Sequence, residues 1–120
     1  MLKIDSVEWA KVKIEGKSYW QVLIIGGEVM VREVERVKQE YGNDHVIANW
    51  EKDSLLSKSP DAIVIADGWS EILKVDEEFK RHASDLGINL KVLRTPEAVE
   101  EYNRLAKEGK KVNTLIHTTC

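Results

Sequence analysis

The 120-residue sequence predicts one α/β domain over residues 1–120, in three layers around a central mixed β-sheet. Two observations carry that reading. In the second half, three short apolar runs alternate with two helical patterns, which gives a β-α-β-α-β C-terminal unit. In the first half, two β-rich runs flank a glycine turn, which gives an N-terminal β-hairpin addition.

In the C-terminal unit, Ala62-Ile-Val-Ile-Ala66, Leu90-Lys-Val-Leu93 and Val112-Asn-Thr-Leu-Ile116 read as strands. Asp76 is a good N-cap for the first helix, with Glu77 and Glu78 beside the positive helix end. Phe79, Ala83 and Leu86 form its buried stripe, and Gly87 ends it. Thr95-Pro96-Glu97 starts the second helix, with Thr95 as cap and Pro96 at the first helical position. Val99, Tyr102, Leu105 and Ala106 face inward, and Gly109 stops the helix. Parallel strands need right-handed crossovers, so a third strand on the far side of the first puts the two helices on opposite faces.

Ahead of this unit, Val7 to Ile14 and Tyr19 to Ile25 are joined by Glu15-Gly-Lys-Ser18. Gly16 can take the positive φ of a tight hairpin, and the phase slip between Trp9 and Ala10 predicts a bulge or twist. Val22-Leu-Ile-Ile25 is apolar on both faces and should be covered on both. Val29-Met-Val31 suggests a further short strand. Val34, Val37 and Tyr41 make one stripe of a short helix closed by Gly42, and His45 to Ala48 is extended. Asn49 is expected to cap a helix over Trp50 to Leu56.

Bulk properties narrow the function. The formal net charge is −3 and acidic and basic residues are interleaved, which disfavours nucleic acid as a partner. Apolar runs fall far short of the ~20 residues of a membrane span, and the start resembles neither a secretory signal nor a transit peptide. A cytoplasmic location is the expectation, and one cysteine agrees with a reducing compartment.

Parallel sheets bind ligands at the carboxyl ends of their strands. That rule selects Asp67 and Gly68 after the first core strand, Thr95 after the second, and His117 after the third. Trp69, in the same loop as Asp67 and Gly68, joins them as a ligand-binding candidate. Across adjacent strand ends, Asp67 and His117 suit general acid–base work, against the plainer reading of a loop-bonding carboxylate and a histidine that pins the chain. No Walker or dinucleotide motif is present, and no cofactor is expected. His117 and Cys120 offer two zinc ligands where three or four are needed, so no metal is expected. Four tryptophans accompany one phenylalanine. Trp9 and Trp20 read as sheet packing, whereas Trp50 and Trp69 are candidate interface anchors.

The sequence resembles the small Mth-type domain, a family of unknown function. That family includes the adipogenesis-associated Mth-domain protein and the mitochondrial assembly factor three of respiratory complex I. Tyr41-Gly42, His45-Val46 and Ala48 carry the likeness in the middle of the chain. Thr95, Glu97-Ala98, Tyr102-Asn103, Gly109, Val112, Ile116-His117 and Thr119-Cys120 carry it toward the end. The resemblance implies the same three-layer fold, no established catalytic activity, and protein association. Two positions depart from the family pattern: Ala66-Asp67-Gly68 replaces a double-glycine turn, and Gln21 stands where an acidic residue is frequent. The combined expectation is a non-enzymatic protein-binding or assembly module that self-associates. The alternative is a small-molecule or enzymatic pocket at Asp67, Gly68, Thr95 and His117.

Overall fold

The structure, a computed structural model, describes residues 2–120. Eight strands and four helices follow one another as β1 (Ile4–Glu8), β2 (Lys11–Ile14), β3 (Lys17–Tyr19), β4 (Val22–Ile25), β5 (Glu28–Val31), α1 (Val34–Tyr41), α2 (Asn49–Leu56), β6 (Ala62–Asp67), α3 (Glu77–Asp85), β7 (Asn89–Leu93), α4 (Thr95–Lys107) and β8 (Val112–His117). The central sheet has the order β5-β4-β8-β6-β7, and β1-β2-β3 form a separate small sheet. β6 pairs in parallel with β7 on one side and β8 on the other, while β4 runs antiparallel to both β5 and β8.

That order divides the core in two. Val64, Ala66, Ile116, Val22 and Ile24 point to one face, where α4 contributes Ala98, Val99, Tyr102 and Leu105 and the small sheet contributes Ile4, Val12 and Ile14. Their strand neighbours Ile63, Ile65, Leu115, Leu23 and Ile25 point to the other, against Leu55, Phe79, Ala83 and Ile88. Alternation along each strand is therefore buried on both sides, which is why these strands read as continuous apolar runs.

The first half of the chain is cut into shorter pieces than its composition suggests. Trp9-Ala10 is a tight turn rather than a bulge or twist within one strand: Ala10 has φ 61° and the chain reverses there to pair β1 with β2. The register irregularity of this pair lies between Ile4 and Ser6 instead. Glu15 and Gly16, at φ 48° and 83°, make the expected hairpin between β2 and β3. The second predicted strand breaks at Trp20, so that β3 stays in the small sheet and only β4 joins the central one. Trp9 and Trp20 are consequently exposed, at 60% and 45%, and do not pack the sheet.

Three helix details also differ. Leu86 is 56% exposed, and Ile88, just after the Gly87 turn, fills the core in its place. Asn49 does not cap α2. Ala48 occupies the N-cap, the Glu51 carboxylate accepts its N–H at 3.0 Å, and the Tyr41 hydroxyl accepts that of Asn49 at 3.0 Å. Arg94 takes the N-cap of α4, which releases the Thr95 hydroxyl for other partners. Asp76 caps α3 as its sequence predicts, accepting from Phe79 N at 2.7 Å.

Candidate functional site

The register places four polar side chains in a row across the end of the central sheet. Arg32 N donates to Gln21 O at 3.0 Å, just beyond the β4–β5 ladder, and Asp67 is the register partner of His117 at the ends of β6 and β8. Strand alternation puts Gln21 with Leu23, His117 with Leu115 and Asp67 with Ile65, all on the face covered by α2 and α3. The row Arg32–Gln21–His117–Asp67 is buried along its whole length.

Most of this row is held by mutual hydrogen bonds. Arg32 Nε and Nη2 donate to the two carboxylate oxygens of Glu51 at 2.7 and 3.0 Å, a bidentate pair with side-chain exposures of 0% and 1%. Arg32 Nη1 donates to Gln21 Oε1 at 2.9 Å and to Asp44 O at 3.0 Å, and Nη2 to Val46 O at 2.6 Å. Gln21 Oε1 also lies 3.0 Å from His117 Nδ1. An amide oxygen only accepts, so with this amide orientation the proton sits on Nδ1, and Nε2 keeps its lone pair 3.5 Å from the Thr119 hydroxyl. Burial, reinforced by the Arg32 and His45 charges against the opposing pull of Asp44, lowers the His117 pKa to about 4. The imidazole is neutral at pH 7. The His45 ring packs edge-on to it, with centroids 5.6 Å apart, and its Nε2 lies 3.4 Å from Asp44 Oδ1.

Asp67 behaves differently. It is 8% exposed, and Oδ1 has no hydrogen-bond partner among the described residues. Burial first, and then the negative charge of Glu71, push its pKa up to about 6. It borders a cleft of about 330 Å³ at the carboxyl ends of β6 and β7, shared with Glu71, Val92, Leu93, Arg94 and Glu97. No hydrogen bond joins Asp67 to His117 among the described residues, although the two lie on neighbouring strands and one face.

Thr95, Gly68 and Trp69 hold the end of β8 in place. The Thr95 hydroxyl donates to His117 O at 2.6 Å and accepts from Gly68 N at 3.0 Å, so it links β6, β8 and the start of α4. Gly68 has φ 108°, and a Cβ there would lie 2.6 Å from Cys120 O and 2.7 Å from Thr119 O. The backbone after β8 therefore lies directly on this glycine. Thr118 is a meeting point: its carbonyl accepts from Ala10 N at 3.0 Å and from Trp69 Nε1 at 2.7 Å, and its hydroxyl donates to Trp20 O. Trp69 is thus tied inward through its indole N–H. Trp50 lies beneath the Arg36 guanidinium, 3.9 Å from the ring centroid, with Tyr41 6.1 Å away. Cys120 is a half-buried free thiol, and no three metal-ligating side chains converge among the described residues.

Arg32, Glu51 and Asp44 are the members of this constellation that sequence reasoning misses. Arg32 and Asp44 look like ordinary charges between elements and Glu51 like a first-turn helix charge, and only the register brings them together. Asn113 and Thr114 do carry a signal, as polar residues inside an apolar strand. Asn113 donates to Leu55 O and Ser57 O, both at 2.8 Å, and Thr114 donates to Val64 O at 2.6 Å.

Comparisons with known proteins agree with this architecture. The structure is similar to that of a protein designated MT938, with a TM-score of 0.79, 27% identity and full coverage of both chains. It is similar to a conserved hypothetical protein of Pyrococcus horikoshii OT3, with a TM-score of 0.81 and 26% identity over 98% of this chain and 99% of that one. A Mth938-like domain of Bordetella pertussis shares the fold at a TM-score of 0.64 and 14% identity, covering 98% of this chain and 85% of that one. At the level of sequence, residues 4–117 match the family described as protein of unknown function (DUF498/DUF598). The chain belongs to that family, and its domain is of the Mth type.

Proposed function

We propose that this chain is a non-enzymatic association module, and that a second copy pairs with it along β5. The observation that supports this reading is the unequal protection of the two edges of the central sheet. β7, at one edge, carries Lys91 at its midpoint, ion-paired to Glu101, which is a usual guard against edge-to-edge pairing. β5, at the other edge, reads Glu28-Val-Met-Val31, with no lysine and no proline. Met30 is 40% exposed and Val31 66% exposed. Beside them a cleft of about 240 Å³ is lined by Leu23, Met30, Val31 and Trp50 together with the acidic Glu33 and Glu51. An exposed strand edge supplies backbone hydrogen bonds, and the adjacent aromatic and apolar side chains supply burial. Most of the polar groups at the strand ends are engaged in holding the fold, which favours association over catalysis. No helix among the described residues is long and apolar enough to cross a membrane, and we place the protein in the cytoplasm. Hydrogen exchange at low and high protein concentration tests the pairing. Slower exchange confined to the outward amides of β5 is expected on concentration, and unchanged β5 exchange contradicts it.

A second reading rests on Asp67. A nine-tenths-buried carboxylate with an unpartnered oxygen, at the mouth of a cleft where Glu71 adds negative charge and Glu97 is already ion-paired to Arg94, suits a small molecule that donates hydrogen bonds, such as an organic ammonium or guanidinium. Thermal-shift measurements with methylamine and guanidinium test it. Stabilisation of the wild type that vanishes in Asp67→Asn supports this reading, and equal shifts in both proteins remove it.

A further inference from the structure

At the opposite end of the sheet, where β8 begins and β4 turns into β5, lies a partly enclosed cavity of about 410 Å³. We propose that it binds an organic anion with an apolar body, a free amphipathic carboxylate, and that Lys58, Lys110 and Lys111 recognise the charge. Its volume is within the range of small-molecule sites. Its floor is apolar and buried: Tyr102 and Ala106 come from the inward stripe of α4, and Val112 from the start of β8. Leu2 closes one side, where its carbonyl accepts from the Tyr102 hydroxyl at 3.2 Å. That bond, with burial that raises the Tyr102 pKa to about 12, leaves the tyrosine a neutral wall.

All three charged residues of the lining are lysines, and none of them is ion-paired among the described residues. The nearby Asp61 carboxylate accepts from the backbone N–H of Lys111 at 2.8 Å, so it is engaged with the main chain. A cation-lined mouth over an apolar floor is complementary to a carboxylate carried on a hydrocarbon or aromatic body. A neutral apolar molecule leaves the charges unused, and an ammonium is repelled.

The wall that carries Lys58 is fixed by the fold. Lys58 and Ser59 have φ of 65° and 49°, two consecutive non-glycine residues in the left-handed region, a conformation that L side chains disfavour. Asn113 maintains that conformation from beneath. Its amide nitrogen donates to the carbonyls of Leu55 and Ser57, and its Oδ1 accepts from Gly26 N at 3.0 Å. One buried side chain thus ties the β4–β5 turn to the loop before β6, and the Lys58 stem lies across Gly26, where a Cβ would meet Lys58 Cγ at 3.3 Å. Strain of this kind persists when surrounding structure over-determines it, and here it places a lysine at the cavity wall.

Titration of the ¹⁵N-labelled protein with octanoate, octanol and octylammonium tests the assignment. Octanoate is expected to saturate with amide shifts centred on Gly26, Gly27 and Val112, at least about 10-fold tighter than octanol, while octylammonium gives no saturation. The triple variant Lys58→Glu/Lys110→Glu/Lys111→Glu is expected to keep the wild-type melting temperature and lose octanoate binding by about 10-fold or more. Equal binding of octanol, binding of octylammonium, shifts centred elsewhere, or an unaffected triple variant each overturns it. So does saturation by phosphatidylglycerol vesicles without any by monomeric octanoate.

Discussion

Asp67 and His117 are register partners on β6 and β8, and burial moves their pKa values in opposite directions, Asp67 up to about 6 and His117 down to about 4. Between pH 4 and 6 the folded state therefore holds one proton on this pair, on Asp67. The unfolded chain also holds one, on His117, because its ordinary values are 3.8 for the carboxyl and 6.5 for the imidazole. The two pH dependences oppose each other. A neutral buried histidine stabilises the fold above pH 6.5 and loses that contribution as the pH falls toward 4. A protonated buried aspartate stabilises below pH 3.8 and loses its contribution as the pH rises through 6. Each is worth about 3 kcal/mol across its window.

Asp67→Asn removes one side of this balance. Its stability relative to wild type is expected to rise by about 1 kcal/mol per pH unit between pH 4 and 6. His117→Asn, whose amide retains a donor toward Gln21, is expected to show the opposite slope. Urea denaturation of the three proteins at half-unit intervals measures both differences, and surface carboxylates cancel between them. Parallel profiles contradict the assigned burial of both groups.

Arg32 and Glu51 form the buried ion pair on which this row rests. Arg32→Met removes the bidentate donor of the buried Glu51 carboxylate, the Arg32 donor to two carbonyls and one of two donors to Gln21 Oε1, and should cost about 3–5 kcal/mol. Glu51→Leu alone leaves a buried guanidinium and also removes the acceptor for Ala48 N, so a similar loss is expected. The double variant should lose much less than the sum of the two. A double-mutant cycle by chemical denaturation checks this, and additive losses refute the coupling.

Gly68 is required for two separate reasons. Its φ of 108° is unfavourable for any side chain, and a Cβ there meets the carbonyls of Thr119 and Cys120. Gly68→Ala is expected to lower stability by about 2–4 kcal/mol. Truncation after Thr118 in the same variant removes the collision and leaves the backbone strain, so part of the loss should return. No difference between the full-length and truncated variants, each referred to its own Gly68 parent, contradicts this packing.

These relationships mark where sequence reading succeeds and where it stops. The strands of the C-terminal unit, the Asp76 cap, the Gly42 terminus and the opposite placement of α3 and α4 follow from local periodicity and turn chemistry. Trp9-Ala10 and Trp20 mislead because a phase slip does not distinguish a bulge from a turn at a non-glycine residue, and a strand leaving one sheet for another leaves no compositional trace. Thr95 looks like a cap because its spacing to Pro96 is that of a cap, yet its hydroxyl serves Gly68 and His117 from two distant strands. The likeness at Ile116-His-Thr-Thr-Cys120 acquires a physical reason only in three dimensions. His117 closes the polar row, Thr118 ties both sheets and Trp69 together, and the next two residues lie on Gly68.

Sedimentation velocity across a wide concentration range tests association along β5. The wild type is expected to sediment as a concentration-dependent dimer. Val31→Lys, on a side chain that is 66% exposed, should retain the melting temperature of the monomeric fold and sediment as a monomer. A wild type that stays monomeric at every concentration, or a dimer that Val31→Lys and Met30→Lys leave intact, rules out pairing along β5.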